Sequence, residues 1–489
     1  MKFTVKDMDI ATGSVLVAIL NKKDAIKLDL RAGDRVLVTY RKRNTVAILD
    51  ISEGKKAVPE GKVGLFEDVL DKLRINGGKH VDVSLTSKPK SVKHIRDKLN
   101  GKTLSCLELC HIMDDISNDR LSAVEKAYFV SAGYLNGFTK REIVDMTKAM
   151  VVTGDQLHFK QFTLDKHCIG GVPGNRTTMV VVPIVTAAGL HMPKTSSRAI
   201  TSPAGTADTM EVLARVELCE KKVTKLMKKV KGFIIWGGTM NLAPADDKII
   251  EVEHPLSIDA EGQLLASVMA KKASVSSNAV LIDIPMGKQV KVKTMKQAKH
   301  LKKMFEMVGK SIDMNVRVII TDGSQPIGNG IGPVLEAEDV LRVLKNEPNA
   351  PDDLREKCLR MSGILLEMGG FKNGYRKAQE LLSSGAAYMQ MRRMIQAQGR
   401  QKITKVGEFS KDVTSGKSGK VKEIDNEIIA KIARIAGCPK DKGAGLYLYK
   451  HVKDKVKKGE KLFTVYAESE ERLKYTVDFL RKNKGFLVK

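Results

Sequence analysis

Alternation of apolar and polar positions over short segments marks the first part of the chain, residues 1–86. Runs rich in β-branched residues predict strands there, because such residues favour a pleated, half-buried backbone. These runs lie at 15–18, 35–40, 45–51 and 80–85. One segment, 64–75, instead carries apolar residues at helical spacing. We therefore predict a small β-barrel-like domain with one helix. It shows no catalytic constellation, which favours a structural or assembly role.

Helical periodicity replaces this alternation between residues 87 and 160. Apolar residues recur at i, i+3 and i+4, which predicts a helical domain. The polar residues at 117–119 and Thr139 are predicted N-caps, since short polar side chains satisfy the free N–H groups of a first helical turn. A further helical stretch at 246–273 is predicted as an excursion back to this domain.

From residue 161 to residue 404, buried strands alternate with glycine-rich loops and helices. Strands are predicted at 232–236, 279–285 and 316–321. This alternation is typical of an α/β domain whose ligands bind beyond the carboxyl ends of the strands, and we expect a central mixed sheet. Residues 405–489 predict a small C-terminal α+β domain. The predicted fold class is thus α/β and multidomain.

The charge of the chain leaves two classes of partner open. The 489 residues include 84 Lys and Arg against 57 Asp and Glu, a formal net charge of +27. Such an excess suits either a nucleic acid or small anionic substrates. Aromatic residues make up only 5% and do not interleave with the lysine runs, as they do in single-strand binders. The longest apolar run, 179–190, is too short to cross a bilayer, so we expect a cytoplasmic protein without membrane partners.

The cysteines do not predict a metal site. Six are present, no pair has CxxC spacing, and no histidine cluster accompanies them. We therefore expect no metal and no cofactor.

A glycine-rich segment, DKHCIGGVPGNRTT at 165–178, is the most informative motif. Its glycines allow backbone N–H groups to approach an anion closely, and a helix follows whose N-terminus favours phosphate. Lys166 adds a positive charge. The segment matches neither a P-loop nor a Rossmann fingerprint. An ordinary βα turn is the alternative.

A second segment, TSSRAITSPAGTAD at 195–208, carries five hydroxyls and one guanidinium before another helix. Both groups suit phosphate oxygens. Two such segments in one α/β region suggest two anion subsites, and the sequence leaves open which phosphate each would hold.

Both segments resemble the phosphate-binding segments of the thymidine phosphorylase family, and LAPADDK (242–248) and ASVMAKK (266–272) match further family segments in the same order. The resemblance implies a helical domain in two pieces, a large α/β domain and an active site in the cleft between them. The stretch 250–254 lacks the arginine with which the pyrimidine nucleoside enzymes hold the base carbonyl. Pyrimidine-only specificity is therefore not expected.

The chain resembles the AMP phosphorylase branch of that family in the missing arginine, in Cys168 where the family has a serine, in the inserted Pro173 and in its β-rich N-terminal extension. This resemblance implies that AMP and phosphate give adenine and ribose 1,5-bisphosphate, with CMP and UMP as further substrates and inorganic phosphate as co-substrate. It implies Asp259 as the acid that protonates the leaving base, and a homodimer or larger homo-oligomer. The substrate-binding positions it implies are Gly171, Ser197, Arg198, Ala199, Ile200, Thr201, Ser202, Thr206, Ser267 and Lys291. Lys166, Thr178, Ser196 and Lys271 are expected neighbours.

Two other functions are weighed against this one. A pyrimidine nucleoside (thymidine) phosphorylase would have the same fold, and the missing arginine argues against it. A nucleic-acid-binding protein would explain the net charge but not the scarcity of aromatic residues. We expect no nucleic-acid partner.

Overall fold

The computed structural model describes residues 1–13, 15–199, 202–256, 258, 260–402 and 404–489, without the side chains of His254 and Leu256. By its internal contacts the chain divides into two compact units. The first unit comprises Met1–Gly137 and Lys248–Ile258, and the second comprises Phe138–Asp247 and Asp259–Lys489.

The N-terminal region of the first unit forms a closed barrel. Its elements are β1 (Lys2–Asp7), β2 (Val17–Asn21), α1 (Lys22–Lys27), β3 (Arg35–Tyr40), β4 (Arg43–Ser52), β5 (Lys62–Leu65), α2 (Glu67–Leu73) and β6 (His80–Leu85). The strands pair around the barrel in the order β1-β5-β2-β4-β3-β6. Val36 and Val38 are fully buried in the barrel core, whereas Leu37 between them is partly exposed, as strand periodicity requires. The predicted barrel-like domain is confirmed. Strands β1 and β5 were not predicted, and the expectation of one helix is wrong, because the short helix α1 is present besides the predicted α2.

A series of helices follows the barrel. Three of these helices have a capping box, and in each of the three the N-cap residue carries a hydroxyl group. They are α3 (Ser91–Leu99), α4 (Cys106–Ser117), α5 (Ala123–Asn136) and α6 (Lys140–Val152). Ser105, Ser122 and Thr139 cap α4, α5 and α6, each paired with a glutamate three residues later. The N-cap predicted at 117–119 is therefore wrong: α4 runs through Ser117, and the capping box of α5 starts at Ser122.

A parallel sheet forms the framework of the second unit. The elements of this region are β7 (Leu164–Cys168), α7 (Thr177–Ala187), β8 (Met192–Ser196), α8 (Thr206–Glu211), α9 (Glu220–Val230), β9 (Gly232–Trp236), a 3-10 turn (Gly237–Met240), α10 (Pro244–Leu256), α11 (Glu261–Ala273), β10 (Ala279–Met286), α12 (Met295–Ser311), β11 (Asn315–Asp322), β12 (Gly330–Ile331), α13 (Pro333–Lys345), α14 (Asp352–Met368), α15 (Gly374–Ser383) and α16 (Ala386–Gln398).

The strands β11, β10 and β7 pair in that order, and β8 pairs with β9. The Leu164 N–H donates to the His191 carbonyl at 2.9 Å and links β7 to the start of β8. All of these described pairs are parallel, so the expected mixed sheet is not observed among them. The reason is that helical connections return the chain between the strands. The carboxyl ends of the strands consequently meet at one edge.

The division into units differs from the expected domain boundaries. The predicted helical excursion at 246–273 is divided between the two units, because Lys248–Ile258 belongs to the first unit and α11 belongs to the second. Within the second unit α11 packs against α6 and α12 around a common core that includes Ile143, Leu265 and Met269. Hydrophobic packing therefore groups these helices with the α/β region.

The C-terminal region is the predicted α+β arrangement. Its elements are β13 (Phe409–Thr414), β14 (Gly419–Ile424), α17 (Asn426–Ala436), β15 (Gly445–Leu448), β16 (Lys455–Val456), β17 (Lys461–Ala467), α18 (Glu470–Leu480) and β18 (Phe486–Val488). The strands form two small sheets, β12-β15-β17-β13 and β16-β14-β18. Among the described helices, none combines the length and apolarity that a bilayer crossing requires.

Candidate active site at the carboxyl edge of the parallel sheet

Three loops meet at the carboxyl edge of the sheet. We call residues 169–176, after β7, the glycine loop, and residues 197–205, after β8, the hydroxyl loop. Residues 287–292 follow β10 and form the third. Open α/β sheets bind ligands at this edge, so these three loops form the candidate binding site.

The glycine loop is confined by its neighbours. Gly170, Gly171 and Gly174 all have positive φ, between +73° and +97°. A Cβ on Gly171 would lie 3.0 Å from Val290 Cβ and 3.2 Å from Lys291 N, and one on Gly174 would lie 2.2 Å from the Ile327 carbonyl oxygen. No larger residue fits at Gly174, since both the backbone conformation and the space require glycine.

Lys166 lies beneath this loop as a buried cation. It is 1% exposed, and its Nζ donates to Thr177 Oγ1 at 2.6 Å. Thr177 is the first residue of α7, so the ammonium lies at the N-terminus of an eleven-residue helix. Burial lowers the pKa of Lys166, with Cys168 and Asp283 opposing the shift. The arrangement concentrates positive potential where an anion would also meet free helix N–H groups.

Cys168 is part of the scaffold of this loop. Its Sγ accepts a hydrogen bond from Asn175 Nδ2 at 3.2 Å and a longer one from the Gly170 N–H at 3.5 Å. Burial raises the pKa of the Cys168 thiol to about 11. The group therefore stays a neutral thiol at physiological pH and is not a nucleophile.

Two buried aspartates hold the strands and the lysines around the site. Asp283 on β10 pairs with Lys357 at 3.0 Å and accepts from the Thr321 hydroxyl at 2.6 Å. Asp165 on β7 lies 2.8 Å from Lys272 and 3.3 Å from Lys194. These ammonium groups hold the pKa of both aspartates below the ordinary value against the opposing effect of burial. Burial lowers the pKa of Lys194 to about 7 although Asp165 lies nearby.

The hydroxyl loop is organised by carboxylates. Asp208 Oδ2 accepts from the N–H groups of Ala199 and Gly205 at 2.7 and 2.8 Å, which closes the loop onto α8. The Arg198 guanidinium lies over the Trp236 ring, 4.8 Å from its centroid. It also pairs with Asp208 at 3.2 Å, Glu211 at 2.9 Å and Glu217 at 2.8 Å. Three acids therefore share this one cation.

Arg176 joins the glycine loop to the hydroxyl loop. Its Nη1 donates to Thr206 Oγ1 at 3.0 Å and its Nη2 to the Ala204 carbonyl at 2.7 Å. Its Nε donates to Glu336 on α13, and both residues are buried. Arg176 is therefore engaged inside the protein, and it fixes the spacing of the two loops.

Helix α11 carries a polar stripe. Gln263, Ser267 and Lys271 are four residues apart and share one face of the helix. Lys271 pairs with Asp246 and, at 3.8 Å, with Asp247. Burial lowers the pKa of Lys271, but these two acids outweigh it and raise the pKa above its ordinary value. Gln263 is 2% exposed, and within the described part of the chain neither of its amide atoms has a hydrogen-bond partner. A buried amide without partners costs free energy, so its two polar atoms are suited to contact a bound ligand.

The structure brings some of the sequence-predicted residues together. Gly171 and Lys291 meet where the glycine loop touches the loop after β10, and Lys291 is exposed there. Thr206 accepts from Arg176, whereas the Ser202 hydroxyl donates to the Ala204 carbonyl at 2.9 Å. Ser197 and Ala199 lie in the hydroxyl loop, and Ser267 is half-buried on α11. Asp259, Ile200 and Thr201 lie outside the described residues.

Sequence reasoning missed several features of the site. Gln263 gave no signal in the sequence, because α11 contains other polar residues, such as Ser267 and Lys271. The buried Ser196 hydroxyl has no partner among the described residues, although Ser196 was expected only as a neighbour. The Arg176–Glu336 pair spans 160 residues, a separation that no local pattern reveals.

Family models match most of the chain beyond the barrel. Residues 92–154 match the helical bundle domain of the glycosyl transferase family, and residues 160–388 match its a/b domain. Residues 420–486 match the pyrimidine nucleoside phosphorylase C-terminal domain. The fold and the site thus define a transferase of the phosphorylase type.

Full-length relatives specify the family further. AMP phosphorylase 1 of Archaeoglobus fulgidus is 45% identical over 96% of this chain and 94% of its own length. A putative thymidine phosphorylase of Bradyrhizobium sp. is 44% identical over 95% of this chain and 92% of its own, and one of Legionella pneumophila (strain Paris) is 43% identical over 93% and 88%. The chain belongs to the AMP phosphorylase and thymidine phosphorylase family.

Solved structures with the same fold are more distant in sequence. Anthranilate phosphoribosyltransferase from Thermus thermophilus superposes with a TM-score of 0.51 at 19% identity, covering 62% of this chain and 98% of that one. The Saccharomyces cerevisiae enzyme, in complex with PRPP and Mg, gives 0.52 at 16% identity, covering 64% and 98%. At these identities the likeness concerns the fold.

Proposed function

We propose that this protein is a nucleotide phosphorylase that converts AMP and phosphate into adenine and ribose 1,5-bisphosphate. The observation that carries the proposal is the pair of linked loops at one sheet edge. One has a buried ammonium at a helix N-terminus, and the other has several hydroxyls and backbone N–H groups. Two phosphates must be held for this reaction, the nucleophile and the 5′-phosphate of the nucleotide. The 45% identity to AMP phosphorylase 1 over nearly the whole chain supports the same substrate.

We assign the inorganic phosphate to the glycine loop. Lys166, the Thr177 hydroxyl and the N-terminus of α7 lie together there, and a phosphate dianion pairs best with a buried cation. The hydroxyl loop would then hold the 5′-phosphate through Ser197, Ser202, Thr206 and its backbone, with Thr201 and Ile200 as further positions. Arg198 contributes by ordering this loop, because its charge is already shared among three acids.

The base would lie towards α11, where Ser267 and Gln263 offer polar groups. Lys271 on the same helix is paired with Asp246. Gly171 and Lys291 would border the sugar. Asp259 would protonate the leaving adenine, a role that requires a carboxyl with a raised pKa. A homodimer or larger homo-oligomer, a cytoplasmic location, activity on CMP and UMP, and the absence of a cofactor are part of the same proposal. The chemistry would belong to residues 161–404, and an assembly role to the barrel.

The substrate range tests the proposal. Purified protein with AMP and phosphate should release adenine, whereas adenosine should react at least about 100-fold more slowly, because it lacks the group that the hydroxyl loop binds. Equal rates with adenosine or thymidine would favour the second candidate, a pyrimidine or general nucleoside phosphorylase. That candidate is supported by the relatives named as putative thymidine phosphorylases.

The acid is tested by Asp259→Asn, with Glu261→Gln as the matched control. Proton donation acts in the transition state, so kcat should fall by about 100-fold or more while KM for AMP changes little. The control should keep wild-type turnover, since Glu261 is an exposed residue paired with His300. Wild-type turnover in the Asp259 variant would refute this assignment.

A further inference from the structure

Two helices of the first unit place histidines and carboxylates on facing surfaces. His94 and Asp97 are three residues apart on α3, and Glu108 and His111 are three residues apart on α4. Residues at this spacing share one face of a helix. Because α3 packs against α4, the two pairs meet. None of these residues has a role in the proposed phosphorolysis.

The ligand atoms are close enough to share one ion. One nitrogen of His94 and one carboxylate oxygen each from Asp97 and Glu108 all lie within 4.8 Å of one another. His94 Nδ1 is 3.4 Å from Glu108 Oε1. Two ligands that each bind zinc at 2.0–2.2 Å with tetrahedral angles are about 3.4 Å apart. This edge of a tetrahedral site is therefore already formed.

His94 Nδ1 lacks a partner of its own. This nitrogen atom is buried, although the His94 side chain as a whole is 13% exposed, and no described residue forms a hydrogen bond with it. The other ring nitrogen, Nε2, lies 3.4 Å from His111 Nδ1, and the two rings stack with centroids 5.6 Å apart. A proton on Nε2, shared with His111, leaves the Nδ1 lone pair free to bind a metal, and outer partners of this kind orient metal-binding histidines.

Glu108 is oriented in the same way. Its Oε2 accepts from the N–H and the hydroxyl of Ser105 at 2.8 Å each, as part of the capping box of α4. The carboxylate is thereby fixed with Oε1 turned towards His94. Asp97 is held by Lys102, whose Nζ lies 3.1 Å from Oδ1. The Lys102 side chain is 65% exposed and can turn into solvent when another cation arrives.

We propose that His94, Asp97 and Glu108 bind a divalent transition-metal ion, zinc being the best match, and that this ion fastens α3 to α4. One imidazole and two carboxylates are a donor set that zinc accepts, and a water molecule completes the tetrahedron. The site would stabilise the helical region of the first unit. It takes no part in the chemistry proposed for the second.

Metal binding to the full-length protein tests the proposal. Zinc titrated against a chromophoric chelator should bind the wild-type protein at this site, and His94→Ala and Asp97→Asn should each weaken binding at least 10-fold. His111→Ala should weaken it about 10- to 100-fold, the usual effect of an outer partner. Lys102→Ala should tighten it, because Asp97 loses its competing cation. His300→Ala is the matched control and should leave binding unchanged, although His300 also pairs with a glutamate, at 2.8 Å.

Two further readouts make the result decisive even if one variant folds poorly. Zinc should raise the thermal midpoint of the wild-type protein and not that of Asp97→Asn, since a ligand that binds only the native state stabilises it. Cobalt bound in place of zinc should show no thiolate charge-transfer band, which separates this site from the free cysteines. Unchanged zinc affinity in both His94→Ala and Asp97→Asn, or a thiolate band, would overturn the proposal.

Discussion

The glycine loop and the hydroxyl loop follow neighbouring strands, yet they prepare for an anion in opposite ways. The glycine loop lies over a buried lysine, Lys166, which donates a hydrogen bond to the Thr177 hydroxyl. The hydroxyl loop contains the more conspicuous cation, Arg198, but three acids surround it. Basic residues in a loop therefore do not by themselves make it a cationic site. What counts is the charge left after the internal ion pairs have formed.

This comparison explains why the net charge of +27 was a weak guide. Lys194 and Lys272 are buried near the strands of the sheet and pair with Asp165, and the partly buried Lys357 pairs with Asp283. They hold the framework together, and Lys166 is the one that meets the helix N-terminus. The two loops consequently predict different outcomes for the loss of their cations.

The largest effect is expected for Lys166→Met. Loss of the buried ammonium should lower kcat/KM for phosphate by at least about 100-fold, the scale on which a single preorganised electrostatic contact acts. Steady-state kinetics with varied phosphate measures it. Lys221→Met, on the exposed surface of α9, is the matched control and should leave the kinetics unchanged. A change of less than threefold in the Lys166 variant would contradict the role given to the glycine loop.

A pair of glycine substitutions separates space from conformation within that loop. Gly174→Ala combines a φ of +73° with a contact of 2.2 Å to the Ile327 carbonyl oxygen, and should lower the free energy of unfolding by more than about 3 kcal/mol. Gly170→Ala has a φ of +94° with open space and should cost only about 1–2 kcal/mol. Urea denaturation of both variants gives the values. Equal losses of unfolding free energy in the two variants would mean that the backbone around Gly174 shifts to make room for the added methyl group.

Arg198→Met should affect stability more than catalysis. Three acids lose their shared cation, so the free energy of unfolding should fall by about 1–3 kcal/mol. Under conditions where the variant is folded, kcat/KM for AMP should fall less than about 10-fold. Arg141→Met removes an exposed arginine with a single acid at 3.7 Å and should change neither quantity. A loss of activity as large as that of Lys166→Met, without loss of stability, would show that the guanidinium binds the substrate.

The smallest effect concerns pH. The pKa of Lys194 is about 7 in the folded protein and near 10.5 when the chain is unfolded. Between these values the unfolded state binds more protons, so this lysine makes stability rise with pH, by at most about 1.4 kcal/mol per unit. Below pH 7 the folded state holds the buried ammonium and this gain is absent. The stability of the wild-type protein minus that of Lys194→Met should therefore increase from pH 7 to pH 9. A difference independent of pH would contradict the low pKa.

The sequence predicts those parts of the fold that local patterns determine. The strands at Arg35–Tyr40, His80–Leu85 and Gly232–Trp236 have the predicted bounds, because β-branched runs between turns leave few alternatives. Thr139 was recognised as an N-cap, whereas Ser122 was missed in favour of polar residues that end the preceding helix. Strand β1 was missed although its sequence, KFTVKD, alternates apolar and polar residues as a half-buried strand does. The division of the helical excursion depends on packing between distant segments, which no local pattern contains.

The candidate site was predictable from the sequence only in part. The glycine loop could be found because glycine and helix signals carry their own physical meaning. Its neighbour Lys291 was indicated by the resemblance to the AMP phosphorylase branch. The partners of Arg198 and Arg176 could not, since ion pairs form between residues that folding brings together. The same is true of Gln263, whose unusual feature is its burial and not its place in the sequence.

Product analysis of a single reaction tests the central claim most directly. The protein is incubated with AMP and inorganic phosphate, and phosphorus NMR follows phosphate while chromatography follows adenine. We predict that one phosphate disappears for each adenine released and that a sugar with two phosphate esters accumulates. Adenine release without consumption of phosphate, or no release from AMP while thymidine is cleaved, would contradict the account.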